Sequence, residues 1–300
     1  MCYLAAVSRA GYYRALLEKK PEEAEMAVHA AIQEVVLRHH RRYGYRRVTA
    51  DLRRQGMIIN HKRVLRIMRE DNLLAIRYRK YILTTDSQHE QEVYVNLATR
   101  MTVTGINQLW VADITYIRLR VEFVFLAVII DRFSRKAIGW ALDRTLAARV
   151  AVRALRDAVA RRQPPPGVVH HSDQGIQYAC TDYVQELNTN HMVASMSRPA
   201  NPYDNAVCES FMKTLKQEEI YCHQYRGLEE LSAHLEEFIE NYYNRQRLHS
   251  ALGYRTPEEF ERDTAAAGPL AALPVAATME YFRPPQRSSA AHPGGSAGDA

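Results

Sequence analysis

Cysteine is scarce in this 300-residue chain, and none of its four cysteines, Cys2, Cys180, Cys208 and Cys222, stands in a C-x-x-C pair. That spacing argues against a disulfide framework and against zinc ribbons and fingers built on paired cysteines, so free thiols are expected. Long apolar runs are missing as well. The longest, Phe123 to Ile130, falls far short of the ~20 residues that a transmembrane helix needs. The chain does not open on the charged, then apolar, then small-residue pattern of a secretory signal, and a cytoplasmic location is expected. No internal repeat is visible.

The sequence does have enough apolar material, 47% of residues against 25% charged, to build a sizeable core, and enough length for two modules with appendages. Its charge is uneven. Residues 1–82 carry 18 Lys and Arg against 8 Asp and Glu, a balance of +10; the remainder carries 22 against 26, or −4, which gives the overall +6. A basic arm of this kind suits a polyanion, with nucleic acid the leading partner, although ordinary solvated helix faces account for the charge equally well.

The basic part reads as short helices. Pro21 marks a helix start, Glu22, Glu23 and Glu25 suit the N-terminal dipole, and Val28, Ile32, Val35 and Val36 recur at helical spacing before Gly44 ends the run. A second helix, Val48 to Gln55, closes at Gly56. Asn60 caps a third, which turns Val64, Ile67 and Met68 inward and sets Lys62, Arg66 and Arg69 on its other face. Two short helices joined by a glycine-containing turn, the second with a cationic face, have the form of a helix-turn-helix reader of phosphates and groove edges. Val7 to Tyr13 reads as the tail of a further such unit. Arg77 to Tyr81 interleaves cations with tyrosines ahead of a polar stretch from Thr84 to Gln91. This is a linker that can neutralise phosphates and stack on bases, or a solvated hinge.

From Leu109 the texture turns to strands: Leu109 to Ile117, the apolar run Phe123 to Ile130, and Lys136 to Leu142 after a turn at Asp131 to Arg135. A helix over Ala147 to Ala160 is broken by Pro164-Pro165-Pro166-Gly167. A strand at Val168 to His170, a helix near Gln177 to Asn188 and a strand at Met192 to Ala194 follow. Two helices, Asp204 to Tyr221 and Leu228 to Tyr243, finish the body. Strands first and alternation afterwards predict a mixed α/β sheet with helices on both faces. Residues 264–300, rich in Ala, Pro, Gly and Ser, are expected to be disordered apart from brief order around Met279 to Phe282.

Three carboxylates need explaining. Asp113 lies in a strand with apolar neighbours on both sides, so it must be protonated, paired or bound to a cation. Taken alone it reads as a paired or edge-exposed Asp. Asp173 follows a short strand at the end where open α/β sheets gather ligand residues, or else caps the next helix. Glu209 sits on a helix away from the apolar row Val207, Phe211 and Leu215, or pairs with Lys213 one turn on. Together, acids on a strand, a loop and a helix can converge as hard oxygen ligands suited to Mg²⁺ or Mn²⁺ rather than zinc. Two such ions about 3.5 to 4 Å apart would clamp an in-line phosphoryl displacement.

Asp173 and Glu209 are separated by 35 residues, and Lys216 follows seven beyond Glu209, on the same helix face. This resembles the D-D-35-E signature of the retroviral integrase superfamily. The segments Asn107 to Tyr116, Asp131 to Arg135, His171 to Gly175, Ser197 to Phe211 and Tyr243 to Phe260 resemble, more narrowly, bacterial insertion-sequence transposases of the OrfB type, over roughly residues 5–262. The resemblance implies a ribonuclease-H-like mixed sheet flanked by helices and preceded by an all-helical helix-turn-helix region. It divides the chain into a helical DNA-binding region (1–78), a linker (79–106), a catalytic core with C-terminal helices (107–263) and a tail (264–300). It implies Asp113, Asp173 and Glu209 as catalytic metal ligands for two Mg²⁺ or Mn²⁺ ions, with Lys216 contacting terminal DNA and Lys62, Arg66 and Arg69 contacting DNA from the helical region.

Other residues take secondary parts. Asp131 is a turn former rather than a fourth acid. His171 is a supporting or DNA contact, or packing; Asn201, Asp204 and Asn205 shape the approach to the glutamate helix, with Asp204 the expected N-cap; Tyr243, Arg247 and His249 touch DNA or pack beneath the core. Ala112 departs from the family's usual Thr or small polar residue without touching the acids. The expected activity is cleavage at element ends to free a 3′-hydroxyl and joining of that hydroxyl to target DNA, on terminal inverted repeats, by a homo-oligomer in the bacterial nucleoid. A hydrolytic nuclease of the same fold and a non-catalytic DNA-binding regulator are the alternatives. The early Met1 leads to the expectation of a longer frameshifted fusion with an upstream OrfA-type product.

Overall fold

A computed structural model of the chain describes residues 23–75, 94–120, 122–197 and 205–267. The readings placed on Val7 to Tyr13, on Pro21, on Arg77 to Gln91, on Asn201 and on the stretch around Met279 lie outside those residues.

Three helices open the described chain: α1 (Glu23–Arg38), α2 (Tyr45–Arg54) and α3 (His61–Glu70). The sequence places Gly44 at the end of the first helix, but α1 stops at Arg38. His40 and Arg41 take left-handed φ values of 50° and 58°, and Gly44 becomes the N-cap of α2, which therefore starts three residues before Val48. Gly56, at φ +86°, closes the turn after α2 as expected. Asn60 caps α3, its side chain accepting from the Lys62 N–H at 2.8 Å. Val48 and Leu52 of α2 and Val64, Ile67 and Met68 of α3 are buried against α1.

The sheet has five strands: β1 (Leu109–Arg118), β2 (Phe123–Asp131), β3 (Ala137–Asp143), β4 (Val169–Ser172) and β5 (Val193–Met196). Their order is β3-β2-β1-β4-β5, with β1, β2 and β3 antiparallel and β1, β4 and β5 parallel. This is the ribonuclease-H-like mixed sheet. Helix α4 (Ala148–Arg162) and the pair α5 (Ile176–Ala179) and α6 (Thr181–Thr189) cover one face, burying Trp110, Ala112, Ala127 and Ile129. The single helix expected near Gln177 to Asn188 is thus broken at Cys180, whose backbone is extended. Gly139 of β3 lets α4 approach closely: a Cβ there would lie 2.4 Å from the Ala154 carbonyl oxygen.

The other face, with Leu109, Val111, Val128 and Ile130, packs on α7 (Ala206–Glu218) and α8 (Leu228–Glu236). The latter continues as a π-helical turn over Glu237–Tyr243. Just past it, the Asn244 side chain accepts from the Ala137 N–H at 3.0 Å and donates to the Ala137 carbonyl at 2.9 Å, occupying the hydrogen-bonding edge at the start of β3. One further helix, α9 (Pro257–Ala267), was not anticipated and runs four residues into the stretch expected to lack order. Its signal is nevertheless present. Thr256 and Glu259 bond each other's backbone N–H at 3.1 and 3.0 Å, a capping box with Pro257 at the first helical position.

The buried residues of α1, α2 and α3 join α7, α8 and that sheet face in a single apolar cluster. Polar contacts line the same junction. Arg42 meets Glu219 at 2.7 Å, the Tyr43 hydroxyl accepts from the Leu248 N–H at 2.9 Å, and Arg247 makes a bidentate pair with Glu218 at 2.7 and 2.8 Å.

Candidate active site

The parallel pairing of β1 with β4 matches Val111 to His171, so that two residues further along each chain stand Asp113 and Asp173. Asp113 points to the face shared with Leu109 and Val111, because side chains alternate along a strand. Helix α7 docks on that same edge: the Asn205 amide donates to the Ala112 carbonyl at 2.9 Å and the Cys208 thiol to the Val111 carbonyl at 3.4 Å. Asn205 holds the N-cap position of α7, and its side chain is spent on β1 rather than on the helix end; the reading placed on Asp204 lies outside the described residues. Glu209, one turn in, is exposed beside these contacts.

The three acids share an electrostatic environment. Burial pushes the Asp113 carboxyl up to about 7; the charge of Asp173 and, less strongly, that of Glu209 push the same way, while the Ile114 N–H, donating to Asp113 Oδ1 at 2.9 Å, and Lys216 oppose them. Asp173 Oδ1 accepts from the Gly175 N–H at 3.0 Å, in a turn so tight that a Cβ on Gly175 would lie 2.9 Å from that oxygen. Beneath them Tyr178 is buried with its hydroxyl unpartnered among the described residues, and burial together with the Asp173 charge raises its pKa. Lys216 Nζ lies 5.3 Å from the Tyr116 ring centroid, a cation–π contact that holds the ammonium beside β1.

The acids are gathered but not closed. Among the described residues the one set of three His, Cys, Asp or Glu ligand atoms within 4.8 Å of one another is Glu219, His223 and His234, away from this site. There Glu219 already accepts from Arg42, Tyr225 and both imidazoles, which explains the cluster as a satisfied buried anion.

The remaining candidates sort by burial. His171 is buried and its two ring nitrogens lie 2.9 and 3.0 Å from the Ser195 and Ser197 hydroxyls, so it ties β4 to β5. Asp131 is buried and accepts from the N–H groups of Asn107, Phe133 and Ser134, which makes it the turn former the sequence indicates. Tyr243 and Arg247 are buried and pack beneath the core. Lys62, Arg66 and Arg69 lie exposed on α3, with Arg66 drawn towards Glu25 at 3.6 Å and Glu70 at 3.9 Å. Sequence reasoning missed the Cys208 thiol and Tyr178 as neighbours of the acids; no local signal marks either.

Comparison with known proteins agrees with this architecture. Two family models described as integrase core domain match residues 104–202 and 190–257, and an HTH-like domain matches residues 22–81. The chain is 35% identical to the insertion element IS600 31 kDa protein of Shigella sonnei, over 87% of this chain and 97% of that one. It is 36% identical to transposase InsF of insertion sequence IS3A from Escherichia coli, over 89% and 94% of the two chains. It is also 36% identical to the transposase of insertion sequence element IS904 from Lactococcus lactis, over 77% and 92%. A chain in the simian T-cell lymphotropic virus intasome complex superposes with a TM-score of 0.45 at 16% identity, covering 77% of this chain and 74% of that one. No helix of the described residues is long and apolar enough to cross a membrane. With an HTH-like region ahead of an integrase core and this identity over most of its length, the chain belongs to the family of insertion-sequence transposases.

Proposed function

We propose that this chain cleaves the 3′ ends of its mobile element and transfers them to target DNA, with Asp113, Asp173 and Glu209 as the catalytic acids. The observation that carries this reading is the charge conflict at Asp113, where burial and two neighbouring carboxylates raise the pKa to about 7. Acids held together against their own repulsion, with oxygen donors only, fit a hard divalent cation, Mg²⁺ or Mn²⁺. When bound, two such ions would polarise the phosphoryl oxygens and activate the attacking hydroxyl.

The chain's own residues do the positioning. The Ile114 N–H fixes the rotamer of Asp113 and the Gly175 turn fixes Asp173, so two of the acids stand on backbone that cannot drift independently. Asn205 and Cys208 clamp the start of α7 to β1 and set Glu209 opposite them. Lys216, on the same helix, offers a cation to the strand approaching the acids. In the first step a P–O bond to the flanking strand breaks and water supplies the new one; in the second the freed 3′-hydroxyl displaces another 3′-oxygen in line, again one bond for one. Lys62 and Arg69, with Arg66 in part, would seat α3 against terminal DNA. The division into a DNA-binding region (1–78), a linker (79–106), a core (107–263) and a tail (264–300), assembly as a homo-oligomer on DNA, and action with an OrfA-type segment complete the proposal.

Replacing Asp113 or Asp173 by Asn, or Glu209 by Gln, is expected to abolish both end cleavage and joining of a pre-nicked terminal DNA in Mg²⁺ while leaving DNA binding intact. Retained strand transfer in any of these variants would overturn the assignment.

A further inference from the structure

Two cations in the turn after β2 face no anion among the described residues. Arg132 and Arg135, in the turn between β2 and β3, are half-buried, yet neither guanidinium makes a hydrogen bond or ion pair with the described residues. The other arginines at this end of the core behave differently: Arg42, Arg47, Arg162 and Arg247 each face a carboxylate within 4 Å. Burial lowers the pKa of both unpaired arginines, and the charge of Arg132 adds to the effect on Arg135. Half-buried cations of like sign that face no carboxylate among the described residues are costly and attract an anion.

Two cavities open beside these arginines, walled in part by apolar side chains such as Met101, Val103 and Phe133. One cavity of about 180 Å³ is lined by both arginines, and an adjoining one of about 100 Å³ shares Arg135 and adds Ser210, Thr214 and His249. Ser210 follows Glu209 directly on α7. Strand β1 links the two sites: the Cys208 thiol, next to Glu209, donates to its Val111 carbonyl at 3.4 Å, and the Arg132 N–H donates to its Leu109 carbonyl at 2.9 Å.

We infer that Arg132 and Arg135, with Ser210 and Thr214, form a phosphodiester-binding subsite that seats the DNA strand alongside α7, the helix that carries Glu209. The contact assigned is to the phosphate, whose oxygens match two guanidinium groups and two hydroxyls in a recess, and a phosphate contact carries no sequence information of its own. This rests on DNA being the substrate, but not on the roles given to the three acids.

The test uses the full chain, a short duplex DNA of arbitrary sequence, and the variants Arg132→Gln, Arg135→Gln and the double variant, with Arg156→Gln on α4 as a control for net charge. Binding followed by fluorescence anisotropy over a salt series should weaken about 10-fold in the double variant, with the slope of log K against log salt reduced by about 2. The control should move neither by more than a small fraction of that. A second reading separates a subsite from a structural arginine: without DNA the double variant should melt higher than the parent, because two unpaired cations have been removed. Inorganic phosphate should raise the melting point of the parent and not of the double variant; if phosphate stabilises but the DNA slope is unchanged, the pocket takes free phosphate and the inference is wrong. It is equally wrong if affinity and slope are unchanged in a folded double variant, or if that variant melts lower and the parent does not respond to phosphate. The Asp113→Asn protein should keep the full salt slope, so failure of the catalytic assignment and failure of this one give different results.

Discussion

At the scale of single residues the site is held in a state the fold does not favour. Asp113 keeps its proton to about pH 7, whereas an unfolded chain releases it near 4. Between those values the folded form binds more protons, so stability falls as pH rises through the window and levels off above it. Without divalent ions Asp113→Asn should therefore match the parent near pH 4 and exceed it by about 4 kcal/mol at pH 7.5, in urea unfolding followed at both pH values. Added Mg²⁺ should close that gap by stabilising the parent alone. Equal stability at both pH values would show that the carboxylate suffers no such conflict. In the sequence this residue stands out as a carboxylate among apolar strand neighbours, within a segment resembling the family's first-aspartate stretch, while Asp131 is set aside because a tight turn needs an acceptor for several N–H groups. Arg132, Arg135 and Tyr178 were not singled out, since nothing in a linear sequence says which cation will end up without an acid or which phenol without a partner.

Element by element, hydrophobic period did most of the work, and the five strands and the principal helices are recognisable from it. The boundaries that differ have local causes. Gly44 reads as a stop but serves as a start, Cys180 interrupts a helix where the chain turns extended, and the capping box of α9 was passed over because the alanine-rich text beyond it reads as tail. Close approach between elements is harder to foresee, and Gly139 shows why. Its missing side chain lets β3 and α4 touch backbone to backbone, and a methyl there would meet the Ala154 carbonyl, the Ala158 N and the Ala158 Cβ, all within 2.7 Å. Gly139→Ala should cost about 3 kcal/mol of stability and shift α4, measured by urea unfolding and by loss of amide protection along that helix. A cost below about 0.5 kcal/mol would mean the two backbones have room to part.

For the whole molecule, the charge asymmetry read from the sequence has an internal explanation alongside the external one. Part of the +10 of the first 82 residues is answered within the chain, where Arg42, Arg47 and Arg54 face Glu219, Glu218 and Glu259. These partners lie some 170 to 205 residues apart in sequence, which is why no pattern reading could pair them. Because the helical region and the core share one apolar cluster, they should unfold together. Trp110 and Trp140 both sit in the core, so tryptophan fluorescence reports the sheet while far-ultraviolet dichroism weighs all helices. The two probes should give one coincident transition in urea, and Arg247→Met, which strips Glu218 of its bidentate partner, should lower the unfolding free energy by about 3 kcal/mol and move both midpoints down alike. Separate transitions would show that the cluster does not bind the two parts into a unit.

The junction built on Arg42, Tyr43 and Glu219 also bears on how such transposases could exchange specificity. A chimera that borrows only the first three helices from a relative would arrive with the wrong lock for this seat, and should aggregate or fold loosely unless the end of α7 and the turn around Leu248 travel with it. If α3 meets terminal DNA as proposed, recognition of other element ends is therefore easier to reach by changing its outward residues in place than by trading the region wholesale.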